Sequence, residues 1–225
     1  MKYEYPWMSE VLRSRFALKK PPVAISLLPD LEVRIPVLKE PMRFCEMWVK
    51  AMEGEIVCAT EKENTCGGGT FYMGLAKPSP DQRNGTFLSR TINLYRTPRA
   101  AVRTDEDTAK IPRGVAVATI CAPLDKAGWD VDVVLIVCDP AQAMKIMEAV
   151  TYDTGGYVSG RTGPATCSVA VAQPYLSGDV TYCVADVGAR DFMKLEDNEM
   201  IVSIPGEKLP GIVNNILERE GAFKI

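Results

Sequence analysis

Apolar positions in the first half of the chain alternate between helical and strand spacing. Met8, Val11, Leu12 and Phe16 recur every three to four residues, so 7–18 reads as an amphipathic helix that Pro21-Pro22 stops. A strand over 23–28 follows. The stretch 30–41, with Pro36 and Pro41, reads as an irregular connection. Next come a helix over 43–53, stopped at Gly54, and a short strand over 55–59. After a polar loop at 78–85, the spacing over 86–95 predicts a surface helix with Phe87, Leu88, Ile92 and Tyr95 on one side.

In the second half, 115–122 and 131–137 are β-branched runs apolar enough for central strands. Asp139-Pro140 opens a helix through 150, with Met144, Met147 and Val150 on its inner face. A Gly-rich region at 155–163 precedes a short helix over 167–175, interrupted at Pro174. Strands over 180–185 and 200–204 and a terminal helix over 207–218, apolar at Leu209, Ile212, Ile216 and Leu217, complete the chain. The sum is a single α+β domain over 1–225, a mixed sheet flanked by helices. At an offset of 101, Gly54 to Cys66 lies over Gly155 to Cys167. An internal duplication of about 20–77 and 130–178 would give two pseudo-equivalent strand-helix-strand halves, with Cys66 and Cys167 face to face across a pseudo-twofold axis.

Charge and composition then narrow the chemistry. The 225 residues carry 26 Lys+Arg against 29 Asp+Glu, a net charge of −3 with no basic run, which removes the footprint of a nucleic-acid binder. There is no histidine, so Ser-His-Asp and Cys-His nucleophiles, imidazole bases and His-containing metal sites are all excluded. The charged segment 1–16 lacks the apolar run of a signal peptide, and no 18-residue apolar stretch suits a membrane span, so the chain reads as cytoplasmic. Seven cysteines, an odd number, then read as reduced thiols.

The stretch from Trp129 to Gly156, with Asp139-Pro140-Ala141-Gln142-Ala143-Met144 at its centre, resembles the signature of the domain of unknown function 169 family of archaeal and bacterial proteins. Pro21-Pro22-Val23-Ala24, Arg43-Phe44-Cys45, Cys66-Gly67-Gly68, Cys167, Gly188-Ala189-Arg190, Asp197-Asn198-Glu199-Met200 and Ile204-Pro205 extend the likeness over nearly the whole chain. The family usually has Gln where this chain has Glu46. The resemblance implies one domain and singles out Cys45, Cys66 and Cys167; it implies no reaction.

Cys121 and Cys138 sit inside strand runs, where free cysteine acts as a small hydrophobe. Cys45, Cys66 and Cys167 instead adjoin predicted helix starts, whose unpaired N–H groups favour thiolate, and Arg43 stands two residues before Cys45. Three thiolates suit an iron–sulfur cluster with one iron left open, or zinc as the alternative. Cys183, or else Cys58, would complete a four-thiolate site. No C-x-x-C pair is present, so the ligands must converge from distant segments. Gly67-Gly68-Gly69 reads either as a loop needing positive φ or as a backbone nest for an anion or cluster sulfides. Arg161 and Arg190, beside glycines, are candidates to hold a carboxylate or phosphate. Asp197 and Glu199 read as an exposed turn, and Met42, Met47 and Met52 as core.

Three readings follow. The first is a cysteine-ligated metalloprotein, iron–sulfur in type, serving redox chemistry, small anionic metabolites or cofactor maturation. The second is a metal-free small-anion-binding or regulatory module, and the third a thiol enzyme that lacks the usual base. Candidate partners are a small anionic molecule, a redox partner protein or a second copy of the chain.

Overall fold

The computed structural model describes residues 4–31 and 35–219. Residues 32–34 of the expected irregular connection lie outside them. Six strands form one sheet: β1 (Val23–Leu28), β2 (Val57–Thr60), β3 (Ala118–Pro123), β4 (Val133–Cys138), β5 (Thr181–Cys183) and β6 (Met200–Pro205), in the order β2-β3-β1-β4-β6-β5. The α+β class holds. The sheet is not mixed, because every pairing between these strands is antiparallel; among the described residues, parallel geometry occurs only at the isolated bridges Val37 to Cys58 and Met42 to Asn64.

Helices cover both faces, which is why β1, β3 and β4 are buried along their whole length. On one face lie α1 (Tyr5–Phe16), α6 (Pro140–Val150) and α9 (Leu209–Glu218), packed on Ala24, Val134, Ile136, Val202 and Ile204. The opposite face, on Val23, Ile25, Val133 and Leu135, carries α2 (Phe44–Met52), α3 (Gly67–Tyr72), α8 (Val187–Met193) and a helix over 166–177. That last helix contains a π turn, Ser168–Ala172, and ends as α7 (Gln173–Ser177). It runs through Pro174 where the sequence predicts a break, since proline has no N–H to give and the π turn before it absorbs the misfit. Two short helices, α4 (Pro80–Arg83) and α5 (Pro98–Glu106), flank a second π turn, Phe87–Thr91, which stands where a surface helix over 86–95 is expected.

The family signature proves to be an architectural joint. Asp139 caps α6 by accepting from Gln142 N at 2.8 Å, and Gln142 accepts from Asp139 N in return, closing a capping box. The Gln142 amide also donates to the carbonyls of Phe16 and Ala17, the last turn of α1. The inner face of α6 is Ala143, Ile146 and Ala149, with Met147 and Val150 partly buried against the same core; only Met144 of the expected three is exposed. Small residues there let α6 lie close to the sheet.

The strand order reads the same from either edge, and the registers agree. Val23↔Pro123 through Leu28↔Ala118 in β1–β3 matches Val133↔Pro205 through Cys138↔Met200 in β4–β6. Across the middle, Val23↔Leu135 and Ile25↔Val133 exchange with each other, so the pseudo-twofold passes through the Ala24↔Val134 pair. Pro123 and Pro205 each lead into a 3-10 turn. This relation is not the offset of 101, which lays β2 on 158–161, where there is no strand. By topology α2 answers to the helix over 166–177, and α3 to α8. Cys45 therefore pairs with Cys167, each the second residue of its helix, and Cys66 pairs with Asp186.

A candidate thiol site between the two halves

The face carrying α2, α3, α8 and the 166–177 helix encloses a cavity of about 430 Å³, lined by Cys45, Cys66 and Cys167 together with Asp186. Four separate segments supply these groups. Cys66 is the N-cap of α3 and its Sγ accepts from Gly69 N at 3.3 Å. Asp186 is the N-cap of α8: one oxygen accepts from Ala189 N at 2.9 Å, the other from Thr166 N at 2.8 Å and from the Thr166 hydroxyl. Cys45 and Cys167 follow the first residues of their helices.

The expectation that helix starts would favour thiolate does not hold for Cys45 and Cys167. Burial pushes the Cys45 thiol up to about 12, with the neighbouring Cys66, Glu46 and Asp186 charges adding to it. Cys167 is likewise pushed well up by burial, then by Cys66, Asp186 and Cys45. Desolvation outweighs the helix ends, so both thiols keep their protons at neutral pH unless a cation displaces them.

Above the thiols the lining is apolar and aromatic: Phe44, Phe87, Leu88, Ile92, Leu94 and Phe192, with Tyr72 at one side donating to Asp105 at 3.1 Å. Arg43 lines the same cavity, its guanidinium 3.9 Å from the centre of the Phe192 ring and 3.6 Å from Glu46. Glu46 accepts from Arg43 N at 2.8 Å, so this departure from the family pattern serves the cap of α2.

Gly67, Gly68 and Gly69 do line the cavity, but not as a loop of positive φ. They form the first turn of α3 with no positive φ. Gly69 is closely packed, since a Cβ there would stand 3.0 Å from that of Phe44.

Other candidates lie elsewhere. Cys183 is buried in β5 and Cys58 in β2, neither lining the cavity. Arg190 does not line the cavity. Its guanidinium donates to the carbonyls of Val184, Glu199 and Glu196 and so ties α8 to the start of β6. Arg161 donates to the Asp107 carbonyl. Glu199 is buried and ion-paired with Lys20 at 2.6 Å, not part of an exposed turn. Asp186 was legible only as the polar residue before a helix, a signal shared by many caps. Among the described residues, no three or more His, Cys, Asp or Glu side chains are grouped so as to hold one metal ion, and no helix is long and apolar enough to cross a membrane.

The comparisons agree with the motif reading. The chain is 29% identical over 206 residues to the uncharacterized protein MJ0308 of Methanocaldococcus jannaschii, a match covering 88% of each. No solved structure matches it. The profile of the domain of unknown function 169 family, described as an uncharacterised ArCR, matches residues 11–215, and the chain belongs to that family.

Proposed function

We propose that the cavity binds an iron–sulfur cluster through Cys45, Cys66 and Cys167, and that the protein uses it on a small molecule or in electron transfer. The observation that carries this reading is the convergence of three thiols from three distant segments on one pocket, together with a carboxylate. A zinc ion draws all its ligands to about 2.3 Å of one point, an arrangement absent among these groups, whereas cluster ligands each hold a different iron and stand further apart. The Gly69 amide directed at Cys66 Sγ suits a thiolate bound to iron, since hydrogen bonds to the sulfurs tune such centres. When bound, the cluster would supply one-electron chemistry or a Lewis-acidic iron. The aromatic side chains give the pocket an apolar wall, and Arg43 is the cation that lines it.

The thiol-enzyme reading is weaker, because Cys45 and Cys167 are held as neutral thiols. The anion-module reading is weaker, because the Arg190 guanidinium is engaged by three backbone carbonyls. Anaerobic reconstitution with ferrous iron and sulfide tests the proposal. Wild type should retain iron and sulfide through gel filtration, and the Cys45→Ser, Cys66→Ser and Cys167→Ser variants should lose most of both. Retention unchanged in all three variants would refute it.

A further inference from the structure

We propose that Asp186 is the fourth ligand position of the same centre, an oxygen donor standing where the symmetry of the fold would put a second Cys66; this rests on the cluster reading above. Three observations lead there. Cys66 and Asp186 follow the edge strands of the two halves, β2 and β5, and each caps the next helix by accepting the amide three residues on. Both line the one cavity that Cys45 and Cys167 also line. Cys45 and Cys167 are themselves related by the pseudo-twofold through Ala24↔Val134.

A four-iron cubane has twofold axes that exchange its irons in pairs. The four positions fall into two such pairs, Cys45 with Cys167 and Cys66 with Asp186, so the fold offers a site of matching symmetry with one corner changed from sulfur to oxygen. The Asp186 carboxylate has capacity for a ligand bond. Its Oδ2 takes two hydrogen bonds from Thr166, but among the described residues Oδ1 takes only that of Ala189 N, leaving a lone pair on that oxygen. Thr166 and Ala189 also fix the carboxylate's orientation, as partners of metal ligands do. A carboxylate holds iron less firmly than a thiolate in such a cluster, so the corner at Asp186 is the one that exchanges. One-electron oxidation of [4Fe–4S]²⁺ by ferricyanide would release that iron as Fe²⁺ and leave [3Fe–4S]⁺, the electron going to ferricyanide.

The test compares reconstituted wild type, Asp186→Asn and Asp186→Cys. Asparagine keeps the cap of α8 and removes the charge; cysteine copies Cys66. Iron per chain, the EPR signal of the three-iron form and the rate of its appearance with ferricyanide are measured, with melting curves to verify folding. Wild type should hold four irons and lose one on oxidation. Asp186→Asn should hold three before any oxidant is added, and Asp186→Cys should hold four and resist loss by about tenfold or more. Identical iron content and oxidation in all three proteins would overturn the role of Asp186 and leave the cluster reading standing. Wild type without iron would overturn both.

Discussion

Cys66 and Asp186 occupy the same place in the two halves of the sheet, each capping the helix that follows an edge strand, and both look into the cavity that Cys45 and Cys167 share. The site thus lies where two similar halves meet, a common place for pockets.

Cys66→Ser separates the two duties of that residue. Serine caps a helix at least as well as cysteine, so melting should stay within about 0.5 kcal/mol of wild type. Iron binding should collapse. Calorimetry with metal analysis checks this, and a variant that keeps its iron would make Cys66 a cap only.

Gly68→Ala and Gly69→Ala should move stability in opposite directions. A methyl at Gly68 meets Tyr72 and Cys66 Sγ at 3.6 and 3.8 Å, ordinary contacts, and should stabilise α3 by up to about 1 kcal/mol. At Gly69 the 3.0 Å approach to Phe44 should cost about 1 to 3 kcal/mol. Denaturant melts of the two variants decide it.

Much of the fold was legible in the sequence, because β1 and β4 are continuous apolar runs and α2 and α6 carry their own stop and start signals. The direction of strand pairing was not, since apolar runs look alike whether their neighbours run parallel or antiparallel. At the site, Cys45, Cys66 and Cys167 were legible from their glycines, helix starts and family motifs. Asp186 was hidden, because its partner across the pseudo-twofold is a cysteine and no residue-by-residue comparison equates the two. The offset of 101 equates Cys66 with Cys167, whereas the sheet relates β1 to β4 at a shift of 110 and Cys66 to Asp186 at a shift of 120, so no single offset registers the two halves.

Arg190→Ala should destabilise the protein by about 1 to 2 kcal/mol, since three carbonyls lose a charged donor at a partly exposed place. Its iron content should match that of wild type. Loss of iron with stability unchanged would return Arg190 to the site.

Iron affinity should rise steeply with pH. The Cys45 and Cys167 thiols are raised above their ordinary range in the folded protein, so a cation must displace at least two protons, and between pH 6 and 8 affinity should climb about 100-fold per unit. For the metal-free protein the sign reverses. A thiol whose pKa is raised on folding binds its proton more tightly in the folded state, so its stabilising contribution is complete below the unfolded value of 9.0 and is lost as pH rises towards about 12. Melting temperatures of the metal-free protein from pH 8 to 11 should therefore fall.

Iron K-edge X-ray absorption of the anaerobically reconstituted protein tests the cluster most directly. The account predicts sulfur as the main neighbour of iron and an iron–iron shell beyond it, both lost in Cys167→Ser. Iron surrounded only by oxygen and nitrogen, with no iron–iron shell, would contradict it.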